Sequence, residues 1–349
     1  MTASVTQVGM SPTPNAPAVR RKSFRLVAGG WAVLRGGLAA TGLATLILAG
    51  LMAVPLKQPA ELMSISTTAK AVDRSDMPAS TRFVARDGTS LAYRHYPATS
   101  PNAGKIAIVI HGSSAGSFAV HGLAKGLAAR GIETYAPDIR GHAGSGSRGD
   151  VGYIGQLEDD LADLVAEIRK THPDAPLTLL GHSSGGGFAL RVAASPIQDL
   201  FARTVLLAPY LGWKAPSSRP DAGGWASPDI PRIVALQMLQ RLGVTCCEHL
   251  PVLALAVAPD STRLLTARYS FALMRNFSTE HVADDVAAAK GRLSLIAGAD
   301  DELMDVANYQ QTVGPRVPVK LIPGVNHMAV VSDPAAVSAI ADEVLKDGS

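Results

Sequence analysis

The chain has 349 residues, 47% of them hydrophobic and 17% charged, with a formal net charge of +3. That balance excludes a disordered chain, and 33 glycines without a triplet period exclude collagen. The length suits one large α/β domain or two smaller ones. Only two cysteines occur, the neighbours Cys246 and Cys247, which excludes a disulfide framework or a four-ligand zinc cluster. They read as buried free thiols, or as a strained vicinal disulfide on an oxidising face.

The net charge misleads until it is divided. Residues 1–57 hold Arg20, Arg21, Lys22, Arg25, Arg35 and Lys57 and no acid. With those six of the 32 bases set aside, the remainder carries 26 bases against 29 acids, a net of −3. A mildly acidic body gives nucleic acid no electrostatic footing.

Residues 1–35 read as a disordered basic lead. From Gly36 to Leu56 the chain runs 21 residues without a charge. At 1.5 Å per residue that is roughly 30 Å, one hydrocarbon core, so the stretch is predicted to enter a membrane. The nearest small-x-small cleavage site, Ala69-Lys70-Ala71, lies well downstream, which favours an uncleaved anchor over a removed signal. The positive-inside rule then puts residues 1–35 in the cytoplasm and everything after Leu56 on the far side. Residues 57–80, with Pro59 and Pro78, read as a linker.

From residue 81 onward, apolar runs alternate with amphipathic helices. Phe83–Arg86 and Leu91–Tyr96, split by Asp87-Gly88, read as a hairpin. Ile106–Ile110 is apolar throughout, as a strand buried on both faces should be. Ser117 is placed to cap the next helix. Ile132–Ala136, Leu177–Leu180, Val205–Ala208, Leu293–Ala297 and Val317–Ile322 supply further strands. Leu157, Leu161, Leu164, Val165 and Ile168 recur at helical spacing, and Glu158, Asp159, Asp160 and Asp163 form the solvated face rather than a metal site. Asp333-Pro334 opens a last helix. Such alternation predicts a mainly parallel sheet with helices on both faces. It breaks between residues 211 and 290, an insertion too apolar for a loop and read as a mostly helical cap. Gly144-x-Gly146-x-x-Gly149 matches a dinucleotide fingerprint literally, but it does not open a helix directly after a strand, so no cofactor is expected.

Strand Leu177–Leu180 runs into Gly181-His182-Ser183-Ser184-Gly185 and then a helix. This is a G-x-S-x-G elbow in its required context, and it presents Ser183 above the sheet edge. Serine at its ordinary pKa is a weak nucleophile and needs a base and an orienting acid, here expected in the order Ser, acid, His. Asp300 and Asp301 follow one strand and His327 follows the next. Two N–H donors for an oxyanion are expected from Ser184, directly after the nucleophile, and from Ser113 in the turn after Ile106–Ile110. His111 is assigned a structural role in that turn.

These stretches together resemble the α/β-hydrolase superfamily, in particular its monoacylglycerol lipase and lysophospholipase branch, grouped with serine aminopeptidase-like hydrolases. The resemblance is carried by Asp87-Gly88, His111-Gly112, Ala136-Pro137-Asp138-Ile139-Arg140-Gly141-His142, Gly181-His182-Ser183-Ser184-Gly185-Gly186, Gly298 with Asp301, and His327. It implies an α/β-hydrolase fold with a cap, and a Ser183–Asp301–His327 triad, because the acid of that family falls three residues after a glycine; Asp300 would then face the loop or solvent, or cap the helix that carries Val306, Tyr309 and Val313. Ser184 stands where the family often has methionine. The function implied is hydrolysis of acyl or lipid esters without metal or cofactor. Two other classes compete: an aminopeptidase, for which the cap acids Asp221, Asp229, Glu248, Asp260 and Glu280 are too dispersed to hold a substrate ammonium, and a membrane-tethered binding protein.

Overall fold

A computed structural model describes residues 1–4, 9, 22–99, 104–258 and 265–346. It divides into two compact units, Met1–Ala53 and Val54–Ser349. The first unit is helix α1 (Lys22–Ala53). Its stretch Leu34–Ala53, 20 residues of mean hydropathy 1.7, is long and apolar enough to cross a membrane. Leu38, Leu43 and Leu46 along it are exposed. The expected disordered lead is thus helical from Lys22 onward; no proline interrupts the chain between Pro17 and Pro55. Most of the lead before Lys22 lies outside the described residues.

The second unit opens with α2 (Met63–Ala71), inside the segment expected to be a linker. That segment is tied down rather than free. Ile65 is buried in the core, and the N–H of Leu62 donates to the carbonyl of Ala256 at 3.2 Å.

Strands β1 (Ser80–Val84) and β2 (Ser90–Tyr96) form the expected antiparallel hairpin, with Gly88 taking the left-handed conformation the turn requires (φ 83°). Then come β3 (Ile106–Ile110), α3 (His121–Ala129), β4 (Glu133–Pro137), α4 (Gln156–Arg169), β5 (Leu177–His182), α5 (Ser184–Ala193) and β6 (Arg203–Leu207). After an insertion that carries β7–β9 and α6–α8, described below, follow β10 (Arg292–Gly298), α9 (Tyr309–Val313), β11 (Val319–Ile322) and α10 (Pro334–Leu345). The eight-stranded sheet has the order β1-β2-β4-β3-β5-β6-β10-β11, parallel from β4 through β11. Every residue of β3 to β6 is buried, because helices cover both faces. This is the α/β-hydrolase arrangement. The order places the carboxyl end of β5 centrally, between β3 and β6, where ligands of such sheets bind.

The insertion is less helical than expected: α6 (Ile230–Arg241), α7 (Phe271–Asn276) and α8 (Val282–Ala288) cover less than half of residues 211–290. It also holds a three-stranded antiparallel sheet of β7 (Ala226–Pro228), β8 (Pro251–Leu255) and β9 (Arg268–Ser270). Two of those strands are three residues long, too short for a period-two pattern to register in sequence.

Three smaller expectations are corrected. Ser117 does not cap α3: its N–H donates to Asp138 Oδ1 at 2.7 Å and its hydroxyl accepts from Arg94 at 3.1 Å. The cysteines are not buried. They lie after α6 in a turn open to solvent, Cys246 exposed and Cys247 half-buried, as free thiols. Asp300 caps nothing, because the turn of helix before α9 starts at Asp305 and the Asp300 side chain faces solvent.

Candidate active site

The chain turns from β5 into α5 at Ser183, which takes φ 57° and ψ −121°. A non-glycine residue there is strained, and the surroundings must hold it. The flanking glycines show how tightly the elbow is built. A Cβ on Gly181 would lie 2.0 Å from the carbonyl oxygen of Gly185, and one on Gly185 would lie 2.4 Å from that of His111. No other residue fits either position. The Ser183 carbonyl accepts from the N–H groups of Gly186 and Tyr210, both at 2.9 Å, and locks the turn to α5 and to the segment after β6.

Two loops at the carboxyl ends of β10 and β11 bring Asp301 and His327 to this point. Ser183 Oγ lies 3.0 Å from His327 Nε2, and His327 Nδ1 lies 2.8 Å from Asp301 Oδ2. The remaining Asp301 oxygen accepts the N–H groups of Leu303 and Met304, each at 2.9 Å. Burial alone would raise the Asp301 carboxyl. Electrostatic attraction to the His327 ring, the hydrogen bond to it and the two backbone donors outweigh burial and hold Asp301 below its ordinary value. The carboxylate is therefore ionised, it fixes the proton on His327 Nδ1, and Nε2 is left to accept from the serine.

The turn after β3 abuts the elbow. A Cβ on Gly112 would sit 3.1 Å from Ser183 Cβ. His111 Nδ1 donates to the Gly112 carbonyl at 2.7 Å, and its Nε2 accepts the N–H of Ile139 at 3.1 Å. Burial lowers the His111 pKa, so a neutral ring serves both partners. The N–H of Ser184, first in α5, has no intrahelical partner by geometry. The structure thus brings together Ser183, Asp301 and His327, with Ser184 opening α5 and Ser113 following the Gly112 that abuts the elbow, and leaves Asp300 outside.

Sequence reasoning missed several residues at this site. His182 Nε2 donates to the His327 carbonyl at 3.0 Å, while Glu302 accepts the His327 N–H at 3.0 Å. Trp225, from the cap, donates to the Ser113 hydroxyl at 2.8 Å. Of these only His182 and Glu302 carried a signal, as polar neighbours of the nucleophile and the acid. Among the described residues no cluster of three or more His, Cys, Asp or Glu side chains could hold a metal ion.

The model of one protein family, Serine aminopeptidase, S33 (Hydrolase_4), matches residues 101–334, more than half of the chain and all of the site just described. The chain belongs to this family. Within it, the S33 chain is 32% identical over 153 residues to the monoglyceride lipase of Mus musculus, covering 43% of this chain and 48% of that one. It is also 32% identical over 99 residues to the monoacylglycerol lipase of Mycolicibacterium smegmatis, covering 28% and 35% respectively. The matched stretches span less than half the length of these relatives. The S33 chain shares its fold with the crystal structure of a soluble variant of monoglyceride lipase from Saccharomyces cerevisiae in complex with a substrate analog. That match has a TM-score of 0.57 at 16% identity and covers 78% of this chain and 95% of that one.

Proposed function

We propose that the protein is a membrane-anchored serine hydrolase that cleaves carboxylic esters of acyl or lipid substrates through an acyl-enzyme. The observation that carries this reading is the hydrogen-bonded series Asp301–His327–Ser183 on a strained elbow. Ser183 Oγ attacks the ester carbonyl and passes its proton to His327 Nε2. The oxyanion is received by the N–H groups of Ser113 and Ser184. His327 then protonates the leaving alcohol, and a water activated by the same imidazole releases the acid. The similarity to monoglyceride lipases favours esters with a glycerol-like leaving group.

The family description leaves peptide release from an amino terminus as the second reading. The cap acids do not favour it. Asp229 caps α6 and pairs with Arg232, Glu280 pairs with Arg275, and Asp221 is exposed, while Asp260 lies outside the described residues. We read the apolar part of α1 as an anchor retained in the mature protein, with the hydrolase body from about residue 81 and its cap on the non-cytoplasmic side. A cytoplasm-dependent fluorescent reporter fused after Ser349 should then be silent.

The deciding experiment treats the full-length protein with a fluorophosphonate probe, then offers it acetyl to octanoyl esters beside aminoacyl amides. Labelling of the wild type and not of Ser183→Ala, with preference for the longer esters, supports the proposal. Labelling that persists in Ser183→Ala sinks it, and release of amino acids promotes the second reading.

A further inference from the structure

Ser113 donates in the proposed reaction through a backbone N–H, and its aim depends on two successive peptide planes. The Gly112–Ser113 plane is held from inside the body by His111, which donates to its carbonyl at 2.7 Å. The N–H of Ser113 points the opposite way in a trans peptide, and no cis bond occurs among the described residues.

The second plane, Ser113–Ser114, is held from the cap. The N–H of Ser114 donates to the Tyr269 hydroxyl at 2.7 Å, and the plane that follows it is held as well, the Ser114 carbonyl accepting the N–H of Thr266 at 2.7 Å. Trp225 adds a third tie through the Ser113 hydroxyl. Such restraint is needed: Ser114 takes φ 70°, a left-handed conformation that is strained for a serine.

Tyr269 is itself oriented. Its hydroxyl lies 2.5 Å from His142 Nε2, and His142 Nδ1 donates to the Arg140 carbonyl at 3.2 Å. The ring is fully buried, and burial together with the nearby His111 ring drives its pKa far down, so it is neutral. A neutral imidazole with its proton on Nδ1 accepts at Nε2. The tyrosine therefore spends its proton on His142 and turns a lone pair to Ser114. Burial also pushes the Tyr269 hydroxyl far above its ordinary pKa, which keeps that proton in place. The His142 ring packs edge-on against Tyr269 and tilted against Phe277.

We propose that Tyr269 and Trp225 of the cap are positioning residues for the oxyanion turn. They fix Ser113 and Ser114 so that the Ser113 N–H stands beside Ser183. Catalytic competence then depends on the cap being seated and not on the α/β body alone. This rests on the ester-hydrolase reading of the same site. It deepens that reading by placing part of the oxyanion machinery under the control of a separate structural layer.

The test uses the full-length protein in detergent micelles, with Tyr269→Phe and Trp225→Phe beside wild type. Three quantities are read: kcat and KM on a p-nitrophenyl ester, the inhibition constant of an alkyl trifluoromethyl ketone, and the melting temperature. The ketone adds Ser183 Oγ to its carbonyl and leaves a hemiketal oxyanion, so its affinity reports the oxyanion donors. Removing a donor outright costs roughly 10²–10³ in kcat, so misaiming one is expected to cost about ten-fold. That loss should fall on kcat with KM unchanged, and the ketone's inhibition constant should rise by the same factor. A tyrosine that merely stabilises the cap would move the melting temperature and leave those two quantities uncoupled.

Folded variants with wild-type kcat and wild-type ketone affinity overturn the inference, and Trp225→Phe decides alone should Tyr269→Phe not fold. Failure of the underlying reading looks different, because the wild type itself would then resist fluorophosphonate labelling at Ser183.

Discussion

Glu302 accepts the backbone N–H of His327 at 3.0 Å, while its neighbour Asp301 accepts the ring N–H of the same residue at 2.8 Å. Consecutive carboxylates thus grip one histidine by backbone and by side chain. The other Glu302 oxygen is buried without a hydrogen-bond partner among the described residues, an arrangement that stability alone would not favour. Glutamine at this position keeps an acceptor for the N–H and loses the charge. Alanine loses both. Glu302→Gln is therefore expected to retain most activity, whereas Glu302→Ala should lose about ten-fold in kcat, the equivalent of one charged hydrogen bond. Equal losses in the two purified variants would show that the charge, and not the hydrogen bond, matters.

Asp300 and Asp301 differ in environment more than adjacency suggests: one is exposed and the other is buried against His327. The two backbone donors on Asp301 Oδ1 decide what an amide would do there. In Asp301→Asn the amide oxygen must face Leu303 and Met304, which turns the NH₂ toward His327 Nδ1. The imidazole then carries its proton on Nε2 and cannot take one from Ser183. Turnover on a p-nitrophenyl ester is expected to fall by roughly 10⁴ with the fold intact. Asp300→Asn should be close to wild type, and the reverse result would move the acid to Asp300.

Legibility tracked how locally each feature is encoded. The Ser183 elbow, the β3–β6 core and the Asp333-Pro334 cap of α10 each depend on residues within about one turn of each other, and each was readable. The two candidate acids were readable as a pair, and the choice between them needed the resemblance. Contacts joining distant segments were not readable. Nothing near Tyr269 or Trp225 in the chain indicates that these residues reach back to Ser114 and Ser113, 155 and 112 residues away. Burial of the segment around α2 was hidden for the same reason, since Ile65 in a polar stretch has no periodic partner.

Acid stability is set by buried histidines. Burial, with the adjacent His327 ring, depresses His182 to about 3, and burial likewise lowers His111 and His142. A folded pKa below the unfolded one means that the unfolded chain binds the proton first. The stability these rings contribute is therefore complete above about pH 6.5 and falls as pH drops from there toward 3. Asp301, also depressed, contributes above its unfolded value and loses that contribution only at still lower pH, as pH falls through the folded value. Its window opens only below about pH 4, at the acid end of theirs. Melting temperature is expected to fall steadily between pH 7 and pH 5, by an amount on the order of several kcal/mol of stability. His182→Gln should flatten the slope, and a wild-type melting temperature constant across that range would contradict the assignment.

The stretch between the apolar helix and β1 is expected to belong to the folded enzyme. Gln58 donates to the Leu255 carbonyl in the cap sheet at 2.6 Å. Asn326, which precedes His327, donates to the Thr68 hydroxyl at 3.1 Å and accepts the N–H of Ala329 at 2.9 Å. Arg74 donates to the Phe118 carbonyl at 3.0 Å, and Asp76 meets His121 at 3.1 Å. Each neutral hydrogen bond contributes about 1 kcal/mol and the burial of Ile65 about 2 kcal/mol. Two soluble forms, one beginning at Val54 and one at Ser80, separate these contacts from the membrane helix. Part of the gain is spent ordering some 25 residues, so the shorter form is expected to melt lower by roughly 5–10 °C. It should also turn over more slowly, because Asn326 loses the partner that steadies the loop carrying His327. Identical melting and identical kcat in the two forms would show that residues 54–79 are only a tether.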